Sequence, residues 1–214
     1  MSGYEIDFGV SGVRAGVVAD AAKVADRVVL PQQTHSCKVA VIGRDGVVPP
    51  LADTDAVISM CSGVAVGVRT ADCVPVLLYA PDIPAVAAVH AGWRGSLGGI
   101  VSNAVGQLIH LGADPARMKA AFGPCICGDC YEVSPELADD FRRAGFADCI
   151  IGTRNLDLVA VNRTRLRAAG LLTDNIITSS CLCTRETPDL PSWRREPTDR
   201  RLATWICLSA ANNK

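Results

Sequence analysis

Three side chains that bind soft metal ions stand near the ends of predicted strands: His35, Cys73 and His90. Cys73 separates two apolar runs of strand character, and His90 follows a third such run. Strand ends that open into loops are where α/β proteins usually place their chemistry, so we expect the thiol and the imidazoles to meet in space. Zinc binds such ligands tetrahedrally, and three protein ligands leave the fourth position for water or substrate.

The same residues leave two alternatives open. Cys73 and His90 also suit a nucleophilic dyad without metal, in which the imidazole lowers the pKa of the thiol. In the second alternative, Cys73 is a buried thiol and His90 a hydrogen-bonded histidine at a strand end.

A second group of thiols occurs at Cys125, Cys127 and Cys130. A closed structural zinc site needs a fourth ligand, for which Cys181 and Cys183 in a later segment are candidates. Because these partners are distant in sequence, we expect a loop carrying small apolar residues in preference to a metal site.

A glycine-rich turn before a predicted helix and several arginines could hold an anion. The N-terminus of a helix offers unpaired N–H groups, and guanidinium groups suit phosphate or carboxylate. The alternative is a tight strand–helix connection in which glycine supplies only backbone freedom. The candidate anion-binding residues are Gly92, Arg94, Gly95 and Ser96 in the turn, with Arg69, Arg194 and Arg195 elsewhere.

The apolar pattern predicts more strands than helices. Strands are expected at residues 37–42, 56–60, 64–68, 74–80, 85–89, 118–122, 176–180 and 202–209, and helices at residues 96–111, 135–144 and 158–169. Since helices and strands do not alternate regularly, the sequence predicts an α+β (mixed α/β) fold with mixed sheets flanked by helices, in a single compact domain over residues 1–214. Pro75 suggests that its strand is an edge strand or carries a bulge. His110 falls off the apolar stripe of its helix and is expected at the surface.

Composition excludes several classes of protein. Hydrophobic residues make up 49% and charged residues 20% of the 214 residues, which is typical of a well-buried globule. A net charge of −1 gives no basic field for nucleic acid or an anionic membrane. The first residues lack the pattern of a signal peptide, so we expect a cytoplasmic protein in which the ten cysteines do not form a disulfide framework.

The chain resembles the YfiH family, also called DUF152 or the laccase-domain, multicopper polyphenol oxidase-like family. The matching motifs are Gln33-Thr34-His35-Ser36, Asp53-Thr54-Asp55-Ala56, Thr70-Ala71-Asp72-Cys73-Val74-Pro75-Val76, His90-Ala91-Gly92-Trp93-Arg94-Gly95, Gly123-Pro124-Cys125-Ile126, Cys130-Tyr131-Glu132-Val133, Cys183-Thr184 and Ser192-Trp193-Arg194-Arg195. Two departures are Ser36, where the family usually has glycine, and Cys127, which makes its loop unusually rich in thiols.

The resemblance implies a mixed α/β fold and a zinc ion bound by His35, Cys73 and His90. It also implies purine nucleoside phosphorylase activity on adenosine, inosine and methylthioadenosine, together with adenosine deaminase activity. The substrates would then be purine nucleosides and phosphate, and a homo-oligomer is compatible with the sequence. Phenol oxidation with copper (Cu2+) and editing of peptidoglycan precursors by a cysteine or zinc hydrolase are the alternatives that the family offers.

The chemistry expected of these residues differs between the activities. For deamination, a water made nucleophilic by the metal would attack C6 of adenine, with Asp72 shuttling protons. For phosphorolysis, Arg69, Arg94 and the amides of residues 92–96 would hold phosphate against the sugar. Multicopper oxidation needs many histidines, and this chain has three.

Overall fold

A computed structural model describes residues 3–24 and 28–209 of the chain. The ends of the predicted domain, residues 1–2 and 210–214, lie outside the described residues, as do residues 25–27. The described strands are β1 (Tyr4–Glu5), β2 (Val13–Val18), β3 (Val28–Val29), β4 (Val39–Ile42), β5 (Ala56–Ser59), β6 (Ala65–Thr70), β7 (Val74–Ala80), β8 (Ala85–Ala91), β9 (Lys119–Phe122), β10 (Ile150–Ile151), β11 (Asn155–Leu156), β12 (Ile176–Ile177) and β13 (Leu202–Leu208). The described α-helices are α1 (Trp93–Gly98), α2 (Ile100–His110), α3 (Pro135–Arg143) and α4 (Leu158–Ala168).

Two mixed sheets form the frame of the described chain. The larger has the order β12-β9-β7-β8-β5-β4, with parallel pairs at its two edges and antiparallel pairs between. The smaller has the order β1-β2-β13-β6-β3, and β3 pairs parallel with β6. Strands β10 and β11 form a separate antiparallel ribbon. The predicted fold of mixed sheets flanked by helices is confirmed.

The larger sheet is covered on both faces. Leu77 and its neighbours on one face pack against β6 and β13 of the smaller sheet. Val76 and Leu78, which point the other way because side chains alternate along a strand, pack against the helices. Every residue of β8 is buried as a result, which explains the almost continuous apolar run in its sequence. Burying one leucine of this kind contributes about 2 kcal/mol.

The helix predicted over residues 96–111 is two helices. Gly99 adopts a left-handed conformation with φ +90°, which ends α1 and begins α2. The Arg165 side chain from α4 donates hydrogen bonds to the carbonyl oxygens of Ser96 and Leu97, at 2.6 Å each. These bonds satisfy carbonyls that a continuous helix would have used, so the break depends on a distant residue.

The other helix boundaries follow local signals. The Ser134 hydroxyl accepts a hydrogen bond from the Leu137 amide, and Pro135 occupies the first turn of α3. The Asp157 carboxylate likewise accepts from the Ala160 amide at the start of α4. His110 is exposed at the end of α2, as expected.

The expectation that Pro75 marks an edge strand or a bulge is wrong. Strand β7 is paired on both sides, with β8 and with β9. The Pro75 carbonyl accepts from the Gly123 amide at 3.1 Å, so the proline nitrogen also faces the β9 side, just beyond Phe122 where β9 ends. The regular pairing of β7 with β9 therefore ends before the position at which Pro75 lacks an N–H group.

The strands differ from the sequence expectation at several ends. Residues 178–180 were expected in a strand, but only Ile176–Ile177 form β12. Strand β2, inside the smaller sheet, has no counterpart among the predicted strands. Within the described residues, there is no helix with the length and apolar character that crossing a membrane requires.

Candidate metal centre and active site

His35, Cys73 and His90 converge from three separate segments and are together called the imidazole–thiol site. Their candidate ligand atoms all lie within 4.8 Å of one another. The distance from His35 Nε2 to Cys73 Sγ is 3.8 Å, and the two imidazole rings are 4.9 Å apart in an edge-on arrangement. Tetrahedral zinc would hold sulfur and nitrogen ligands about 3.6 Å apart. The donor set and its spacing therefore fit a zinc ion.

The strand pairing explains how these segments meet. Cys73 immediately precedes β7, while His90 lies near the end of the antiparallel neighbour β8, opposite Pro75. The loop carrying His35 precedes β4 at the far edge of the sheet and reaches the site through hydrogen bonds to Asp55.

Asp55 is a buried carboxylate that orients both histidines. Its Oδ1 atom lies 2.6 Å from His90 Nδ1 and accepts from the His35 amide at 3.1 Å. Its Oδ2 atom accepts from the amides of Thr34 and Ser36 and from the Ser36 hydroxyl. A carboxylate only accepts, so Nδ1 of His90 carries the proton and the other ring nitrogen is left for a metal.

The hydrogen bonds and charges of the site set its pKa values. Burial opposes the charged form of Cys73, but the His90 charge and a hydrogen bond from His35 outweigh it and lower the thiol pKa to about 6. Burial also opposes the charged form of His90, yet the adjacent Cys73 thiolate and Asp55 raise its pKa to about 9. The pKa of Asp55 is held well below its usual range, because hydrogen bonds from His90, Thr34 and Ser36 outweigh its burial. A thiolate next to an imidazolium is thus the favoured metal-free state.

The backbone around the site is held in uncommon conformations. His35 and Asp72 adopt positive φ angles of 65° and 87°, in the left-handed region that few side chains favour. Gly92 lies close against the ligands, since a Cβ atom there would come within 2.8 Å of His35 Cδ2 and 3.0 Å of Cys73 Sγ. These positions leave little space for movement around the imidazole–thiol site.

The site opens into a cavity of about 630 Å3. Three arginines and three aromatic rings line it beside the ligands. The lining residues are Gln32, Gln33, His35, Arg69, Thr70, Ala71, Asp72, Cys73, His90, Trp93, Tyr131, Trp193, Arg194 and Arg201. This combination of positive charge and ring surface suits a ligand that is both anionic and aromatic.

Asp72 lines the cavity, but it also holds its wall together. Its Oδ1 atom accepts from the Thr184 hydroxyl at 2.6 Å, and its Oδ2 atom accepts from the Arg194 amide at 2.6 Å. Each carboxylate oxygen has two lone pairs, so each retains acceptor capacity toward the cavity.

The arginines of the cavity are anchored through the backbone. Arg69 donates to the Pro31 carbonyl at 2.7 Å. Arg194 donates to the Glu132 carbonyl and lies over the Tyr131 ring, 5.0 Å from its centroid. Burial raises the pKa of Tyr131 to about 12, so this ring stays neutral.

Five of the predicted anion-binding residues, Gly92 among them, lie outside the cavity lining. Arg94 is exposed and lies over Trp93, while Gly95 and Ser96 are buried. The Ser96 hydroxyl donates to the Ala91 carbonyl and accepts from Asn162. The Arg195 guanidinium donates to carbonyls within residues 184–190. Ser96 and Arg195 use their polar groups inside the fold, and Arg94 lies over Trp93 outside the lining, so the phosphate site proposed below does not include these residues.

A second group of side chains that could hold a metal ion lies outside the cavity lining. Its candidate ligand atoms are also within 4.8 Å of one another. This thiol–carboxylate cluster consists of Cys127, Cys130, Cys183 and Glu186. Cys127 and Cys130 therefore also suit a metal site, which is an alternative to the expected loop of small apolar residues. The expected loop role fits Cys125, because this buried residue turns away and its Sγ lies 3.3 Å from Cys181 Sγ.

Sequence reasoning missed three residues that the structure places at the candidate sites. Asp55 stood in an Asp-Thr-Asp run before a fully apolar strand, and that position was the available signal of a buried carboxylate. Glu186 follows Cys183 by three residues, a ligand spacing that we did not consider. Arg201 gave no signal, because it sits in a polar segment with many arginines.

Comparison with known proteins identifies the family. The profile of the family described as "Multi-copper polyphenol oxidoreductase laccase" matches residues 10–209. The chain belongs to this family. Its backbone resembles the crystal structure of the Bacillus licheniformis hypothetical protein YfiH, with a TM-score of 0.84 and 26% identity over 92% of this chain and 93% of that one. The resemblance seen in the sequence motifs is thereby confirmed.

Two relatives of the chain carry the names of purine enzymes. Adenosine deaminase RL5, from an unknown prokaryotic organism, is 40% identical over 168 residues, which are 72% of this chain and 64% of that protein. Purine nucleoside phosphorylase SCO2081 of Streptomyces coelicolor is 40% identical over 185 residues, covering 85% of this chain and 75% of the relative. The chain therefore matches just under two thirds of the length of the first relative and three quarters of the second.

Proposed function

We propose that the chain is a zinc-dependent purine nucleoside phosphorylase with adenosine deaminase activity. The observation that carries the proposal is the imidazole–thiol site, which faces a cavity lined by arginines and aromatic rings. The names of the two relatives, which describe enzymes acting on purine nucleosides, support the same substrate class.

The aromatic rings of the cavity offer surfaces for a purine base. Trp93, Trp193 and Tyr131 line it, and Trp193 is 54% exposed despite its size. A flat base stacks favourably on such rings. We propose that the base lies among these rings, with the amides of Gln32 and Gln33 available for hydrogen bonds to its edge.

We propose that phosphate binds to the arginines that line the cavity. Arg69, Arg194 and Arg201 line the same cavity, and each is anchored by hydrogen bonds to backbone carbonyls. Anchored guanidinium groups bind phosphate at a lower entropic cost than mobile ones, because their direction is already fixed. These residues would orient phosphate toward the anomeric carbon of the sugar, and orientation is the main requirement of this displacement.

Three side chains of the imidazole–thiol site would hold the metal, while Asp72 would move protons. A zinc ion bound there supplies Lewis-acid polarisation. Asp55 keeps the His90 ring in the orientation that ligation needs. Asp72 retains acceptor capacity at both oxygens, so it is the candidate general acid and base for deamination.

Product analysis separates the two activities. The zinc-loaded chain is incubated with adenosine, with and without phosphate, and the products are resolved by chromatography. We expect adenine and ribose 1-phosphate only when phosphate is present. Inosine should form in both reactions, and phosphate should convert part of it to hypoxanthine. Arg201→Ala should raise the KM for phosphate, while Arg163→Ala, a matched change on the exposed side of α4, should not. Absence of purine products under all conditions would refute the proposal.

A thiol hydrolase is the second candidate, favoured by one observation. The Cys73 pKa of about 6 gives a thiolate at neutral pH, as nucleophilic cysteines require. The two candidates differ in their response to metal removal. A hydrolase with a Cys73 nucleophile keeps its activity in the metal-free chain, whereas the proposed zinc enzyme loses its activity and regains it with zinc.

Restoring activity to the metal-free chain with each metal in turn decides between zinc and copper. Two imidazoles and one thiolate also suit copper, and the family is described as an oxidoreductase. We expect zinc to restore purine turnover to the metal-free chain. Phenol oxidation restored by copper, with no purine turnover in the presence of zinc, would instead favour the oxidase.

A further inference from the structure

The thiol–carboxylate cluster lies where two turns of equal spacing meet. Cys127 precedes a 3-10 turn that ends at Cys130, and the Cys130 amide donates to the Cys127 carbonyl at 3.1 Å. Cys183 and Glu186 are also three residues apart, and the Thr187 amide donates to the Cys183 carbonyl at 3.0 Å. Two ligands separated by two residues on a turn are typical of structural zinc sites.

Backbone hydrogen bonds hold the two turns against each other. The Cys125 amide donates to the Leu182 carbonyl at 3.1 Å, and the Cys125 carbonyl accepts from the Thr184 amide at 2.9 Å. The Cys127 amide also points at Cys183 Sγ, 3.4 Å away. Backbone hydrogen bonds of the fold therefore bring the candidate ligands together.

The donor atoms fit a small tetrahedral cation. Zinc–thiolate bonds of about 2.3 Å place neighbouring sulfur atoms about 3.8 Å apart. The four donor atoms of the cluster lie within 4.8 Å of one another, and Cys130 Sγ is 3.6 Å from Glu186 Oε1. Four protein ligands complete the coordination and leave no position for a substrate. Three thiolates favour zinc over magnesium or calcium.

The cluster is attached to a long segment that lacks regular structure. Residues 178–201 connect β12 to β13 through turns and one isolated β-bridge, between Cys183 and Cys125. Connections of more than about 12–15 residues without helix or strand are uncommon and need other support. Arg195 supplies part of it by donating to backbone carbonyls of this segment, which belong to Thr184, Arg185, Thr187, Pro188 and Leu190.

Adjacent residues join the cluster to the wall of the cavity. Cys130 belongs to the cluster, while its neighbour Tyr131 lines the cavity. Cys183 belongs to the cluster, while the Thr184 hydroxyl donates to Asp72. Fixing the cluster therefore fixes the segment whose side chains form this wall.

We propose that the thiol–carboxylate cluster is a closed structural zinc site that fastens residues 178–201 against the turn of residues 127–130. The site is separate from the imidazole–thiol site and does not depend on the reaction carried out in the cavity. Its zinc ion takes no part in substrate binding, and its effect on the cavity is to hold the wall in place.

Metal stoichiometry and cobalt spectroscopy test this site directly. The full chain is purified with zinc, freed of loose metal, and analysed by plasma mass spectrometry. We expect two zinc ions per chain in the wild type, and one in Cys183→Ser or Glu186→Gln. Cobalt added to the metal-free chain should give strong thiolate charge-transfer absorption, which Cys183→Ser weakens more than Cys73→Ser because the cluster carries more thiolates.

Cys61→Ser is the matched control, because Cys61 is a partly exposed cysteine that belongs to neither site. It should retain both zinc ions. If Cys183→Ser fails to fold, the wild-type cobalt spectrum still decides, since it reports the number of thiolates without any substitution. A wild type with a single zinc ion, lost in Cys73→Ser, would overturn the proposal. A wild-type cobalt spectrum showing one thiolate ligand, or a disulfide between Cys127 and Cys130 in the purified chain, would overturn it as well.

Discussion

The imidazole–thiol site and the thiol–carboxylate cluster use similar side chains in different surroundings. The first has three candidate ligands among the described residues and faces the cavity, with a buried carboxylate behind its histidines. The second has four candidate ligands on two turns and lies outside the cavity lining. An open coordination position suits chemistry, whereas a complete set of protein ligands suits structural support.

The surroundings also give the thiols opposite properties. Two imidazoles next to Cys73 outweigh its burial and lower its pKa to about 6. Around Cys127, burial and the neighbouring thiols Cys183 and Cys130 raise the pKa to about 12. A free cysteine in this chain is therefore reactive or inert according to the charges around it, which the sequence spacing does not reveal.

The largest expected effect is the loss of activity when the open site loses a ligand. His35→Asn removes an imidazole and tolerates the positive φ angle of 65°, because asparagine adopts this conformation more readily than most residues. We expect kcat/KM for adenosine to fall about a thousandfold, as the loss of several kcal/mol of metal assistance implies. His110→Asn, a change at the exposed end of α2, is the control and should keep full activity. If His35→Asn retained activity, the open site would not be the reaction centre.

The second prediction concerns thiol reactivity in the metal-free chain. At pH 7 most of Cys73 is thiolate, while Cys127 is almost fully protonated. The much larger thiolate fraction of Cys73 favours its reaction, while the lower intrinsic nucleophilicity of a thiolate of low pKa offsets part of this advantage. We therefore expect iodoacetamide to modify Cys73 about a hundredfold faster than Cys127. The rate at Cys73 should fall as the pH drops below about 6, because the protonated thiol does not react.

Peptide mass spectrometry with timed quenching measures both rates in one sample. Zinc should protect the two cysteines, which serves as the control. Equal rates for Cys73 and Cys127 would contradict the difference between the two environments.

Removing the carboxylate behind the histidines should weaken the open site without abolishing it. Asp55→Asn keeps the size of the side chain but loses the negative charge that orients His90. We expect zinc affinity at the imidazole–thiol site to fall about tenfold to a hundredfold, with the other cluster unchanged. A competition titration against a zinc-binding dye measures this. Asp45→Asn, at an exposed position in the turn after β4, should leave the affinity unchanged.

The same carboxylate gives a prediction about acid stability. The pKa of Asp55 is lower in the folded chain than in an unfolded one, because its hydrogen bonds favour the ionised form. Its stabilising contribution is therefore complete above the unfolded value of about 4 and decreases as the pH falls below it. In Asp55→Asn, this part of the acid dependence should disappear from urea unfolding curves. An unchanged pH dependence would show that Asp55 is not the group responsible.

The smallest expected effect lies at the connection between the two regions. Thr184→Val removes the hydroxyl that donates to Asp72 while keeping the side-chain shape. We expect KM to rise by less than about tenfold, because one hydrogen bond to a charged group is lost next to the cavity and both metal sites remain. Thr153→Val, at an exposed position, is the control and should not change KM. Loss of a zinc ion in Thr184→Val would show that the two regions are coupled more tightly than this.

The sequence predicted much of the frame and the grouping of the candidate ligands at the open site. Apolar runs located the central strands, and β7 was placed at the residues that form it. Capping residues Ser134 and Asp157 located two helix starts, because such signals act within a few residues. Only a few histidines and cysteines lie near the ends of predicted strands. His35, Cys73 and His90 could therefore be selected as candidates, with support from the family motifs.

The features that sequence did not predict depend on contacts between distant residues. The break at Gly99 is stabilised by Arg165, and Pro75 is tolerated inside the sheet because β9 ends beside it. Asp55 is significant only because folding brings His90 and the His35 loop to it. Its spacing from these residues carries no periodic signal.

Anomalous diffraction at the zinc absorption edge, on crystals of the zinc-loaded chain, tests the contrast between an open and a closed site most directly. We expect one peak bounded by His35, Cys73 and His90 with a fourth ligand from solvent or substrate. A second peak should lie within the thiol–carboxylate cluster, enclosed by four protein ligands. A map without a peak at the imidazole–thiol site, or with a protein side chain in its fourth position, would contradict the account.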